Sequence, residues 1–411
     1  MRTQIFTNIK LIANVRDSSE ILRGSALAQL PCIENGYMII EDDAIAEVGP
    51  MKNFRFADDV TFQVGSGSIV LPAWCDSHTH IVYAGSRESE FEDKIKGLSY
   101  SEIAANGGGI LNSSGKLNAS SEDELFVQAW KRLEEVSRLG TGAIEIKSGY
   151  GLTLEGELKM LRVIKTLKEK SNINIKATFL GAHAFPLQYK NNHSDYIDLL
   201  INEMLPVIAK ENLADYIDVF CEEGFFSPEE MTTICNAGKQ FGLKPKLHVN
   251  QLNSIGGIEA GISAGALSLD HLETLNDKEI EMLANFAGAS TLLPTAAFFL
   301  RMPYQPARKL IDAGAAVTLA SDYNPGSSPS GNMNFVVSLS CIQMKMLPEE
   351  AINAATYNGA CAMEIQDEYG SISAGKKANL IFTNPVASLA YLPYSFGSNQ
   401  VDKVMIKGEF I

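Results

Sequence analysis

From about residue 68 to about residue 325 of this 411-residue chain, short apolar runs alternate eight times with longer stretches of helical periodicity. The runs are Ser68–Ala73, Gly142–Ile146, Ile173–Leu180, Tyr216–Phe220, Lys244–Val249, Ala266–Leu269, Ala289–Pro294 and Ala315–Ala320. Between them lie amphipathic patterns such as Asp123–Arg138, Glu155–Lys170, Tyr196–Lys210, Pro228–Gly242 and Asp277–Phe286. Several such patterns, Pro228–Gly242, Gly256–Gly265 and Pro306–Gly314, end in glycine, a usual stop before a following strand. Strand then helix, eight times over, predicts an α/β fold with a closed (β/α)8 barrel. A doubly wound open sheet fits less well, because no G-x-G-x-x-G follows an early strand and eight units suit closure.

The flanks read differently. Residues 1–65 hold short alternating segments (Gln4–Leu11, Tyr37–Glu41, Ala44–Val48, Thr61–Val64), and residues 371–411 hold Asn379–Thr383 and Lys403–Ile406 between turns at Gly375 and Gly408. Neither end is long enough to bury a core alone. The expected organisation is therefore a barrel over 66–370 beside one small composite β-sandwich built from both ends.

In a closed barrel, chemistry belongs to the carboxyl ends of the strands. Those ends carry Asp76-Ser-His78-Thr-His80, Glu145-Ile-Lys-Ser-Gly-Tyr150, Gly181-Ala-His183, Cys221-Glu222-Glu223, His248-Val-Asn-Gln251, Asp270-His271, Thr295 and Ser321-Asp322-Tyr-Asn324-Pro-Gly326. Of six histidines, five (His78, His80, His183, His248, His271) fall at these ends, and only His193 sits in a polar loop. Residues i and i+2 of a strand point the same way, so His78 and His80 converge. Closure brings strand 8, with Asp322, beside strand 1, and His248 joins from strand 5. Three imidazole nitrogens and one carboxylate oxygen suit one divalent metal, Zn²⁺ or Fe²⁺, with bonds of about 2.0–2.2 Å. A structural zinc site is disfavoured, since none of the six cysteines falls at these positions.

Charge narrows the partners. Asp and Glu number 49 against 34 Lys and Arg, a net charge of −15. Such a chain lacks the basic footprint that nucleic acid needs, and it suits an anionic membrane surface no better. Met1–Lys10 contains no apolar signal core, and Thr291–Leu300 is too short for a membrane span and is broken by Pro294. Scattered cysteines without C-x-x-C argue against a disulfide scaffold. The expectation is a cytoplasmic enzyme acting on a small molecule.

With these residues in place, the chain resembles the amidohydrolase superfamily of metal-dependent barrel hydrolases. The resemblance rests on Asp76–Arg87, Glu145–Leu152, Phe179–Ala184, Asp218–Cys221, His248–Gln251, Asp270–Glu273 and Ser321–Ser327, in order along most of the barrel. The stretches Glu-Ile-Lys-Ser-Gly-Tyr-Gly and Ser-Asp-Tyr-Asn-Pro-Gly are its most specific parts. It points to the branch that opens the cyclic amide of 4-imidazolone-5-propanoate, giving N-formimidoyl-L-glutamate in L-histidine degradation.

The same resemblance implies roles. Arg87 and Tyr150 would bind a substrate with a carboxylate tail, a planar guanidinium being a bidentate partner for that group. His183 would contact the ring and donate to the developing oxyanion. Gln251 would hydrogen-bond a ring nitrogen, and Asn324, Gly326 and Ser327 would line the pocket. His78, His80, His248 and Asp322 would hold the metal, with Asp322 and His271 sharing the proton transfers in an order left open. Tyr100 is a further candidate, and the loop running into Gly107–Gly109 reads either as a lid or as a simple turn. Related enzymes suggest a homodimer. Two departures matter: Gln251 stands where deaminating relatives often carry glutamate, and strand 4 has no lysine to bridge a second metal. A deaminase and a non-catalytic scaffold are the alternatives.

Overall fold

The computed structural model describes residues 2–17, 20–55, 62–64, 67–98 and 108–411. The chain opens with β1 (Thr3–Ala13), β2 (Cys32–Glu41), β3 (Ala44–Pro50), β4 (Phe62–Val64) and β5 (Ile69–Pro72). It continues through β6 (Trp74–Thr79), β7 (Thr141–Lys147), β8 (Asn174–Ala182), β9 (Tyr216–Cys221), β10 (Lys244–Val249), β11 (Ser268–His271), β12 (Ala289–Leu292) and β13 (Val317–Leu319). It closes with β14 (Leu380–Thr383), β15 (Val401–Ile406) and β16 (Glu409–Phe410).

Strands β6 to β13 pair in sequence order, every pair parallel, in one eight-stranded sheet. The sheet closes on itself at one seam. Thr79 and Tyr323 form a parallel bridge, the His80 N–H donates to Tyr323 O at 2.9 Å, and the Asp322 N–H donates to His78 O at 3.0 Å. The expected barrel is thus present, with helices between its strands. Three of these helices start at capping boxes, Ser121 with Glu124, Ser227 with Glu230 and Asn276 with Glu279, each closing two otherwise unpaired N–H groups. The helix Tyr357–Ala362 presses against β6, and Gly359 is needed there: a Cβ at that position would meet Cys75 O at 2.3 Å.

A second, mixed sheet unites the two chain ends in the order β16-β15-β14-β5-β1-β2-β3, with β4 also on β1. Alternating side chains of these strands bury Phe6, Ile9, Ile12, Met38, Leu380 and Met405 together. One sequence expectation is corrected here. Ser68–Ala73 is not the first barrel strand. Ile69–Pro72 lies between β1 and β14 in the second sheet, and the barrel begins at Trp74. The continuous run of buried residues from Ile69 to Val82 masked the change of sheet, because each strand is buried on both faces.

The region between β6 and β7 holds two helices that periodicity did not reveal, Glu88–Ile95 and Gly109–Ala119. Gly109 opens the second of them at φ +84°, its N–H donating to Glu90 at 3.0 Å, so this end of the loop left open between lid and turn is a held helix start. Tyr100 and Gly107 lie outside the described residues. Among the described residues no helix is long and apolar enough to cross a membrane.

Candidate active site at the carboxyl rim of the barrel

Five histidine rings converge at the rim. His78 lies 4.4 Å from His248 and 5.6 Å from His271 between ring centroids. His80 lies 5.5 Å from His248 and stacks on His183 at 5.6 Å. His193 is elsewhere, stacked on Phe185 and bonded to Glu230. Among the described residues, two groups have donor atoms all within 4.8 Å of one another. One is His78, His80 and Asp322; the other is His78, His248 and His271. The four expected ligands are thus divided between overlapping groups that share His78, and His271 enters the second.

The donor set fits a divalent cation on its chemistry. The Nε2 atoms of His78 and His80 stand 3.3 Å apart, and each is 3.5 Å from Asp322 Oδ1. His78 Nδ1 lies 2.7 Å from Asp270 Oδ2, and His248 Nδ1 lies 2.7 Å from Asp218 Oδ2. A carboxylate on Nδ1 fixes the tautomer and leaves Nε2 bare as a ligand. His78, His80 and His248 are held well below the usual imidazole pKa. Burial is the largest cause for each, followed by Lys147 for His78, His248 for His80 and His271 for His248. All three rings are therefore neutral, the form that binds metal.

Asp322 sits at φ +53° and His271 at φ +86°, left-handed conformations that non-glycine residues hold at a cost of about 1–3 kcal/mol each. Burial pushes the Asp322 carboxyl up to about 6, against the opposing pull of His271 and of the Ser327 hydroxyl, which donates to Oδ2 at 3.1 Å. His271 is the reverse case. Burial pulls its pKa down, but Glu273, 3.3 Å from Nδ1, lifts it above the ordinary value. Glu273 is itself fixed by Gln305 at 2.8 Å.

Arg87 is also brought to this rim. Its Nε donates to Ser113 Oγ at 2.8 Å, and its guanidinium carbon is 5.9 Å from the Tyr150 ring centroid. A Cβ on Gly326 would lie 2.6 Å from Arg87 Nη1, which places the guanidinium against the loop after β13. That loop is built on Asn324, whose Oδ1 accepts from the Gly326 and Ser327 N–H groups and whose Nδ2 donates to Asp322 O. Tyr150 packs 5.5 Å from His183. Gln251 is buried just beyond β10.

His183 carries a constraint that spacing could not reveal. Its Nδ1 is 3.0 Å from Gly149 O, and a carbonyl only accepts, so Nδ1 bears the proton. Burial lowers its pKa to about 4, against the raising effect of that bond, so the ring is neutral and offers Nε2 as an acceptor. Donation to an oxyanion would need a second proton on the ring.

The residues that sequence reasoning missed lie just below the rim. Asp218, Asp270, Glu145, Lys147 and Lys246 fill the barrel interior, all 0–1% exposed. Lys147 Nζ contacts Asp218 Oδ2 at 2.8 Å, Glu145 Oε1 at 2.9 Å and Asp270 Oδ2 at 3.6 Å. Burial pulls the Lys147 ammonium down, but Asp218, Glu145 and Asp270 together hold it above its usual range. A period-two charge inside an otherwise apolar strand, as at Glu145 and Lys147, was the available signal.

A parallel barrel with histidines and an aspartate gathered on its carboxyl rim defines an amidohydrolase-type hydrolase, a metal-dependent class. The Amidohydrolase family pattern matches residues 222–411. A triazine hydrolase variant superposes with a TM-score of 0.76 at 16% identity, covering 100% of this chain and 94% of that one. The imidazolonepropionase of Flavobacterium johnsoniae is 58% identical over 408 residues, 99% of both chains. That of Christiangramia forsetii is 55% identical over 411 residues, the whole of both. The chain belongs to the imidazolonepropionase family.

Proposed function

We propose that the chain hydrolyses the lactam C–N bond of 4-imidazolone-5-propanoate to give N-formimidoyl-L-glutamate in L-histidine degradation. The observation that carries this reading is the convergence of His78, His80, His248, His271 and Asp322 within reach of Arg87 on one rim. The cofactor is one divalent metal, Zn²⁺ or Fe²⁺, which His78, His80, His248 and Asp322 would hold. When bound, such an ion lowers the pKa of water to about 7 and polarises a carbonyl.

The protein's own groups do the rest. Arg87 grips the propanoate through its fork of N–H donors, with Tyr150 flanking it. Gln251 hydrogen-bonds a ring nitrogen, and the Asn324–Gly326–Ser327 loop closes the side of the pocket. Neutral His183 accepts a ring N–H at Nε2, which replaces the oxyanion role expected from sequence. Asp322 takes a proton from the attacking water and returns one to the departing nitrogen. His271, whose pKa Glu273 lifts from 3.3 Å, assists Asp322 in these proton transfers. The reading extends to a cytoplasmic homodimer that binds neither nucleic acid nor membrane, in keeping with a net charge of −15. It also extends to the expected three-part organisation of 1–65, 66–370 and 371–411, with the first boundary moved to Ala73 because Ile69–Pro72 joins the second sheet.

The test is an assay of Zn²⁺- and Fe²⁺-loaded protein on imidazolone propanoate and on guanine. Loss of the imidazolone chromophore without ammonia release is expected. Ammonia from guanine would mark a deaminase instead, and inactivity on both with either metal would mark a scaffold.

A further inference from the structure

The interior of a (β/α)8 barrel is ordinarily filled by layers of branched apolar side chains. Here five charged side chains occupy it, and taking each ion out of water carries a large desolvation penalty that its pairing must offset. Neither lysine is needed for a histidine to be oriented, since Asp218 alone reaches His248 and Asp270 alone reaches His78. The question is what the ammonium of Lys147 adds.

The oxygen atoms answer it. Asp218 Oδ2 meets both His248 Nδ1 at 2.7 Å and Lys147 Nζ at 2.8 Å. Asp270 Oδ2 meets both His78 Nδ1 at 2.7 Å and Lys147 Nζ at 3.6 Å. One nitrogen atom therefore joins two carboxylate oxygens from β9 and β11, and those same oxygens aim two imidazoles from β6 and β10. Glu145, two residues before Lys147 on the same face of β7, holds Lys147 from below at 2.9 Å. Without the ammonium, two carboxylate oxygens near one point would repel and draw both rings out of line.

The geometry points to Lys147 as a positioning residue for the metal centre, setting the spacing of His78 and His248 through Asp270 and Asp218. The inference rests on the reading of this rim as a metal site. Lys246 serves as its internal control. It pairs with the same Glu145 at 3.1 Å, and its other partners are Ser268 Oγ at 2.9 Å and Ala362 O at 3.1 Å. Its charge also acts on Asp270, but it makes no ion pair with either aspartate and so does not bridge the two aspartate–histidine pairs.

The experiment compares the parent with Lys147→Met, Lys147→Gln and Lys246→Met. It measures Zn²⁺ affinity by competition with a chromophoric chelator, the visible spectrum of the Co²⁺-loaded form, and the thermal midpoint. Both Lys147 variants should bind Zn²⁺ about 10–100-fold more weakly and shift the Co²⁺ bands. Lys246→Met should lower the midpoint, cost clearly less affinity than either Lys147 variant, and leave the spectrum as in the parent. Parent-like affinity and spectrum in the Lys147 variants would overturn the proposal. So would an equal loss in Lys246→Met, or failure of both Lys147 variants to fold, since Lys147 would then serve the fold alone. A parent that binds no cation stoichiometrically would instead remove the metal-site reading itself, and this inference with it.

Discussion

The backbone N–H of Asp322 donates to the carbonyl oxygen of His78 at 3.0 Å. This bond belongs to the barrel seam, and it delivers a side chain from the last barrel strand to two imidazoles from the first. Closure and site assembly are thus one event, because the contact that ends the sheet also sets Asp322 Oδ1 3.5 Å from both Nε2 atoms.

Asparagine tolerates the left-handed backbone of position 322 and keeps the carbonyl oxygen, but it cannot take a proton. Asp322→Asn should fold with a near-parent thermal midpoint and lose turnover by about 10²–10⁴-fold. Asp322→Ala should lose turnover and also melt earlier, since alanine is strained at φ +53°. Turnover assays and melting curves on both variants check this, and near-normal turnover in Asp322→Asn would end the proton-transfer assignment.

Arg87→Ala removes the guanidinium and leaves the rim histidines untouched. KM should rise about 10–100-fold with kcat little changed, the usual cost of losing a charge-assisted hydrogen bond. An analogue without the propanoate should barely distinguish variant from parent. A large residual difference on that analogue would contradict the anchoring role.

Gly326→Ala tests the same pocket from the opposite wall. Its φ is not positive, so the added methyl strains no backbone. It would meet Arg87 Nη1 at 2.6 Å and push the flexible end of that side chain aside. KM should rise several-fold while kcat holds. A fall in kcat at constant KM in steady-state kinetics would place Gly326 against the reacting atoms instead.

His183 predicts an acid-side instability. Its folded pKa is about 4, against about 6.5 for a free imidazole, so between these values the unfolded chain binds a proton that the folded chain does not. Stability therefore falls as pH drops through that window. In metal-free protein, His183→Asn should lose about 1–2 kcal/mol less than the parent between pH 7.5 and pH 5, solvent at the rim reducing the effect. Urea midpoints at the two pH values measure it, and equal losses would refute the neutral ring.

The barrel was legible in the sequence because its strands are buried on both faces and its helices carry period-3.6 patterns with glycine stops. Gly314, for example, ends the helix Ala307–Ala313 at φ +101°. The convergence of His78, His80 and Asp322 followed from period-two alternation and closure alone. Sheet membership was not legible at Ile69–Pro72, since burial looks alike in both sheets. Nor was the His183 tautomer, which depends on a carbonyl 34 positions away. The buried charges beneath the rim were visible as letters, but only the folded barrel gathers Glu145, Asp218 and Asp270 around Lys147 and sets Lys246 against Glu145.

Strand β5 lies between β1 and β14, and its Ile69 N–H donates to Thr383 Oγ1, 314 positions along the chain. Only Ala73 separates β5 from β6, the strand that carries His78. During synthesis on the ribosome, that strand must therefore wait for Leu380–Thr383 to emerge before its anchor is complete. A nascent chain released before this point would carry every metal-site and substrate-pocket residue named here and still lack the clamp that holds the first of them in register.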